Sequence, residues 1–187
     1  MVAACAEKTY AGTTIADVVD RAAVSRTTFY KLFNDKRDCF DAAVTQCIDR
    51  MAATLAAAAS GYDAPAEATR SGVVALLELL AAEPQLALVL GGDVVGLDPG
   101  LVERYSAFTV PALEAMWARE GAAPHKHLSP GLALGRAQLL IFREVAAGRA
   151  ERLPDLVPEI VYLAIAPFAG HDEALRQARP AGAEAGR

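Results

Sequence analysis

The chain has 187 residues, 53% of them hydrophobic but only 6% aromatic, and carries a net charge of −5. Alanine supplies much of the apolar share, which favours closely packed helices over β-sheet. No uninterrupted apolar run reaches the ~18 residues of a membrane span, and Met1 to Lys8 lacks a basic leader and cleavage pattern, so the expected setting is cytoplasmic with no membrane partner. Cys5, Cys39 and Cys47 form no CxxC pair and leave an odd count, which fits buried thiols in a reducing compartment.

In chain order, the first patterned stretch is Thr13 to Lys36. Thr14 suits a helix N-cap, and Ile15, Val18 and Val19 recur at i, i+3 and i+4 on one inward face of a helix from Ile15 to Ala22. Ala22-Ala23-Val24 makes a turn, and Ser25 caps a second helix from Arg26 to Phe33 that is expected to bury Phe29, Leu32 and Phe33. Its other face carries Arg26, Thr27, Thr28, Tyr30 and Lys31 with no acid among them. These are donors that phosphates and base edges accept. Asn34-Asp35 breaks that helix and Lys36 opens the next. The pattern is a helix-turn-helix whose second helix suits a major groove.

The string Y-x-G-T-T-I-x-D-V-x-x-x-A-x-V-S-x-x-T-F-Y-x-x-F-x-x-K, Tyr10 through Lys36, resembles the DNA-binding segment of TetR-family transcriptional regulators. The resemblance spans about the first quarter of the chain. It implies an all-α fold, with an N-terminal helix-turn-helix domain joined by a long helix to a C-terminal helical ligand-binding and dimerisation domain. The boundaries read as 1–45, 46–170 and a flexible tail 171–187. Two departures stand out. Ala23 fills a turn position usually held by glycine, so a left-handed backbone there is strained, and the first helix, ahead of Tyr10, reads as short.

The charge is distributed unevenly. Residues 1–50 hold seven basic and seven acidic groups, so the whole −5 lies in the remainder. Arg26, Lys31, Lys36 and Arg37 cluster where phosphates would lie, and local placement rather than total charge decides nucleic-acid binding. Arg26 is the base reader expected to grip guanine. Thr27 and Thr28 suit base or phosphate, Tyr30, Lys31 and Lys36 phosphate, and Thr14 and Ser25 both cap and phosphate. A solvated helix face is the plain alternative for each taken singly.

From Lys36 a long helix runs through Ala59, with Phe40, Val44, Cys47, Ile48, Met51 and Leu55 on one stripe, so two bodies share it. Gly61 to Pro65 ends it, a helix follows over Ala66–Ala82, and Pro84 opens a short one through Leu90. Residues 91–100 read as loop, Leu101 to Glu120 as a helix kinked at Pro111, and Gly121 to His127 as a polar connection. Ser129-Pro130 opens a helix to Ala147, and a last helix covers Pro154 to Phe168.

These last two helices are apolar on nearly every side and need a second cover. The same pair from a second copy supplies it, giving a homodimer through Gly131, Leu132, Gly135, Leu139, Phe142, Leu156, Ile160 and Leu163. A deep monomeric core is the alternative. Tyr105, Phe108, Met116 and Trp117, with Gln138 and Phe142, are candidate walls of a pocket for a small, largely apolar effector, and Arg104, Arg119 and Arg143 are further polar anchors. Ordinary core is the competing reading of the rings. His125, His127 and His171 lack neighbouring acids or thiols, so no metal is expected. No catalytic constellation or phosphate loop is evident, so neither an enzyme nor a cofactor is expected.

The function these readings favour is a ligand-responsive regulator, a repressor, that binds a near-palindromic double-stranded operator as a homodimer and leaves it when an effector tilts the helix from Lys36. The rival is a helical interaction protein that uses its apolar terminal helices to bind a partner, with a helix-turn-helix not competent for DNA.

Overall fold

The computed structural model describes residues 1–88, 110–125 and 128–179, and every regular element among them is helical. In chain order they are α1 (Val2–Gly12), α2 (Ile15–Ala22), α3 (Arg26–Leu32), α4 (Lys36–Ala59), α5 (Pro65–Ala82), α6 (Pro84–Leu88), α7 (110–118), α8 (Pro130–Ala146), a 3-10 segment (Ala150–Leu156) and α9 (Val157–Ala178). The loop expected over 91–100 and the first nine residues of the helix expected from Leu101 lie outside the described residues, and Pro111 falls at their edge.

Two cores organise these helices. The smaller sits inside the N-terminal unit and consists of Val18, Val19, Phe29 and Cys39, with Ile15 and Phe33 against them. The larger begins at Cys5, Phe40 and Val44, runs through Met51, Leu77 and Leu86, and ends on α9 at Ile165, Phe168 and Ala174. Helix α4 therefore enters both. Its Cys39 belongs to the small core and its Phe40 to the large one.

Close approach fixes α4 against α5. A Cβ on Gly72 would stand 3.2 Å from Leu55 Cδ2, so any larger residue would make the Leu55 side chain give way by a few tenths of an ångström. Arg50 adds a fork to Glu83, where α5 ends. One guanidinium nitrogen donates to Oε2 at 2.6 Å and the other to Oε1.

The C-terminal helix differs from the expected one. It does not stop at Phe168 but breaks at Gly170 (φ 79°) and resumes to Ala178, so residues 171–178 are helix and not tail. The sequence looks frayed there because one small side chain, Ala174, carries the burial, while Arg70 Nε donates to the Gln177 carbonyl at 3.0 Å. At the break the freed Pro167 carbonyl accepts from the His125 N–H at 2.7 Å. The 29-residue run from Ala150 to Ala178 is long and apolar enough, by length and composition alone, to cross a membrane. A search for uninterrupted apolar runs misses it because charged residues punctuate it. Its Ile160, Val161, Ile165 and Phe168 are packed in the large core.

Helix α8 ends in a Schellman turn. Gly148 (φ 72°) donates to the Val145 carbonyl and Arg149 N–H to the Glu144 carbonyl, both at 2.9 Å. The Glu144 side chain, only 7% exposed, accepts from Arg149 Nε at 2.8 Å and from its terminal nitrogen at 3.0 Å. That hydrogen bond holds the Glu144 carboxyl below its ordinary 4.5, against the opposing push of burial. Because the folded value is the lower one, the pair stabilises fully above the ordinary value and loses its contribution as pH falls through the lowered one. Glu144→Gln should therefore be less stable than wild type at pH 7 in urea unfolding, and the gap should narrow as pH falls below the ordinary carboxylate value. A gap independent of pH would show that the pair is not ionic.

Candidate functional site

The helix-turn-helix is fixed by local hydrogen bonds that the sequence dictates. Thr14 and Asp17 form a full capping box. Thr14 Oγ1 accepts from the Asp17 N–H at 3.2 Å, and Asp17 Oδ2 accepts from the Thr14 N–H at 2.8 Å. Lys8 donates to Asp17 Oδ1 at 2.5 Å, and this bond, ahead of those from Thr14, holds the Asp17 carboxyl far below the usual range. A second pair, Arg21 to Glu7 at 2.5 Å, ties α2 to α1.

Between α2 and α3 the chain makes the same turn that ends α8. Ala23 N–H reaches the Asp20 carbonyl at 3.2 Å and Val24 N–H the Val19 carbonyl at 3.0 Å. Where α8 uses glycine, this turn holds Ala23 in the left-handed region at φ 53°, as the glycine departure in the sequence anticipates. Ser25 Oγ then caps α3 by accepting from the Thr28 N–H at 3.0 Å, and the Thr28 hydroxyl lies 3.0 Å from Ser25 Oγ.

This places Arg26, Thr27, Tyr30 and Lys31 on the exposed side of α3. Tyr30 is 56% exposed and set edge-on to Phe29. Arg26, Thr27 and Lys31 have no side-chain partner among the described residues, so their donors are open to a ligand. Thr14, Ser25 and Thr28 are exposed but spend hydroxyl capacity on caps.

Two assignments change. Lys36 turns inward: its ammonium donates to the Tyr10 and Thr13 carbonyls, both at 2.9 Å, and lies 4.2 Å from the centre of the Tyr10 ring. Two of its three donors therefore cap the end of α1, a role that spacing alone does not reveal. Leu32, expected inside, is 69% exposed, because α3 ends there and Phe33 turns back in extended conformation to take the inner place against Phe29.

The second feature is a cavity of about 900 Å³ in the C-terminal body. Helix α4 lends it Ile48, Met51 and Leu55, α5 Gly72 and Leu76, α6 Ala87, α7 Leu113 and Met116, and α9 Ile160 and Ala164. From α8 come Gly131, Leu134, Gly135, Gln138 and Phe142, at i, i+3, i+4, i+7 and i+11, one continuous stripe. Of the expected wall residues, Met116, Gln138 and Phe142 are there and Arg119 stands on the rim. Trp117 is not on the wall; 4% exposed, it stacks on Phe168 at 5.5 Å with its buried Nε1 unpaired. Arg143 is exposed, 3.6 Å from Glu144, and Tyr105, Phe108 and Arg104 lie outside the described residues.

Of the residues expected between two copies, Gly131 and Gly135 belong to the cavity wall, and Ile160, 4% exposed, belongs to the core of a single chain. Leu132 and Leu139 are 77% and 55% exposed on the outer side of α8; Phe142, Leu156 and Leu163 are half-buried. Among the described residues no three His, Cys, Asp or Glu side chains gather as a metal site. The three cysteines are buried and form no disulfide among the described residues, and burial pushes the Cys39 and Cys47 thiols up, away from the reactive thiolate.

A capped, turn-linked helix pair that presents an open cationic face has the form of a helix-turn-helix, the shape that places a helix in a major groove. Residues 2–43 match the family described as bacterial regulatory proteins, tetR family. No curated protein matches the chain. Among solved structures, the fatty acid degradation regulator FadR from Bacillus halodurans superposes with a TM-score of 0.69 at 18% identity, over 87% of this chain and 89% of that one. The transcriptional regulator FadR from Bacillus subtilis, solved in complex with stearoyl-CoA, gives 0.58 at 18% identity, over 91% and 95%. At that identity the likeness establishes a shared fold over those spans.

The strain at Ala23 is testable. Ala23→Gly should raise stability by about 0.5–1 kcal/mol, the left-handed penalty relieved less the entropy glycine adds to the unfolded chain, as read from urea midpoints. A loss of stability would argue against the left-handed turn.

Proposed function

We propose that this protein is a repressor that binds a near-palindromic operator as a homodimer and is released when a small, largely apolar effector fills the cavity. The observation that carries this reading is the course of α4. One helix supplies Cys39 to the core beneath the recognition helix and Ile48, Met51 and Leu55 to the cavity wall. Helix α6 runs in parallel. Its Ala87 lines the cavity while its neighbour Leu86 packs in the core that holds Cys5 of α1. An effector that shifts either wall shifts the seat of the reading unit. It can do so only as far as its affinity differs between the two arrangements.

The cavity's size falls within the range of small-molecule sites, and its lining is mostly aliphatic. The Bacillus subtilis neighbour complexed with stearoyl-CoA is a precedent for an aliphatic chain in this fold. Under this reading Arg26 and Thr27 face base edges, and Tyr30 and Lys31 hold phosphates. Lys36 acts from behind by fixing α1 to α4. Two copies pair through the outer side of α8, around Leu132 and Leu139, which one chain leaves uncovered.

Binding of the purified protein to DNA from its own promoter region, titrated with salt, tests the reading. Arg26→Ala should cost about 1–3 kcal/mol per half-site and erase the preference over random DNA. Equal affinity for both DNAs in wild type, with a salt slope near zero, would remove it. For the dimer, Leu132→Asp combined with Leu139→Asp should sediment as a monomer of unchanged helicity and lose about 100-fold or more in operator affinity. A dimer that survives both changes places the interface elsewhere.

A further inference from the structure

Among the described residues seven polar side chains stand on the cavity wall, and six are already accommodated. Tyr62, Asp63, Arg119 and Glu120 are exposed at the rim, where water serves them. Ser60 Oγ donates to the Ala57 carbonyl at 2.8 Å and Thr69 Oγ1 to the Pro65 carbonyl at 2.7 Å, each within its own helical turn. Gln138 is the seventh. It is half-buried, and its amide has no hydrogen-bond partner among the described residues.

Its position sharpens the point. On the α8 stripe Gln138 lies seven residues beyond Gly131, about 10 Å along the axis, and its neighbours there are Leu134, Gly135 and Phe142. An apolar side chain of similar volume would continue that wall at no desolvation cost, whereas an amide enclosed by an aliphatic ligand would lose its water and gain nothing. A site built to hydrogen-bond a ligand oxygen rejects the analogue that lacks it, because its own polar group is then left unpaired.

On the reading of this cavity as the effector site, we propose that the effector carries a carbonyl or hydroxyl oxygen partway along an aliphatic body, and that Gln138 reads it. Nε2 donates to a carbonyl, and Oε1 accepts from a hydroxyl. The specificity of the regulator is then for an oxygenated chain over the plain hydrocarbon chain of equal length.

The test compares stearate with 10-oxostearate, which differ by one mid-chain carbonyl. Trp117, the sole tryptophan, adjoins the wall residue Met116 and serves as the fluorescent reporter. Wild type should bind the oxo chain about fivefold to tenfold more tightly. Gln138→Leu should lose that preference and bind stearate no worse than wild type. Equal affinities in wild type, or a preference that survives in Gln138→Leu, would overturn the role of Gln138 and leave the cavity reading standing. Gly135→Leu distinguishes the deeper failure. A Cβ there meets nothing within 4 Å, so the larger side chain fills the cavity without a clash. Binding that is undiminished in that variant, or absent altogether from wild type, would overturn the effector cavity and this inference together.

Discussion

Helix α4 has little freedom to move on its own. Its 24 residues extend about 36 Å, and three separate contacts hold it along that length. The Lys36 ammonium grips two carbonyls at the end of α1, the Arg50 guanidinium forks onto Glu83, and Gly72 lets α5 close on Leu55. Between these points Phe40 and Val44 are almost wholly buried beneath α1, with the Tyr10 and Phe40 rings 4.6 Å apart. On the proposed mechanism, a displacement at the cavity end would be carried to the helix-turn-helix as a change of seat, since tightly packed side chains compress little.

The reading unit is the less securely built end of that lever. Its own core holds four buried side chains, against the long cluster behind it, and each such burial stabilises by about 1.5–3 kcal/mol at most. Its turn carries a left-handed alanine, where the equivalent turn at the end of α8 has glycine. What compensates is polar and local: the capping box at Thr14, the Ser25 cap, and two ion pairs from α1 to α2. These set the angle of α3 without adding core, so the orientation of the helix depends on α1 and α4 as much as on the motif itself.

How much of this the sequence discloses depends on the range of the interaction. Caps, turns and the apolar stripe of α2 are contacts within about five residues, so Thr14, Ser25, Ala23 and the helix boundaries could be read directly. Lys36 could not, because its partners lie 23 and 26 residues upstream and are carbonyls, which no side-chain pattern marks. Helix α8 is legible only in part. Its all-round apolarity asks for two covers, but periodicity does not say which stripe faces which. Gly131 and Gly135 turned to the cavity, while Leu132 and Leu139 kept the outer side. Trp117 lay one residue from the wall, on the neighbouring side of its helix. The tail failed for want of bulk, since a single alanine docks it.

On the proposed mechanism, the energetics of release constrain the effector more than the volume does. To move a dimer from 1:99 to 99:1 in favour of the released arrangement takes a preference of about 10⁴, or about 5.5 kcal/mol. Two identical cavities share that demand, so each needs a preference of about 100-fold, near 2.7 kcal/mol. An aliphatic body supplies affinity, but much of it is the same in both arrangements and shifts nothing. Differential affinity must come from wall groups whose position changes with α4, or from a directional contact that only one arrangement satisfies. A hydrogen bond to a half-buried amide is such a contact, worth about 0.5–1.5 kcal/mol when made and more when denied. Helix α8, which carries Gln138, packs on α6, and α6 in turn meets α1. On that proposal, the oxygen read by Gln138 would be linked to α1, beneath the helix-turn-helix, through α6.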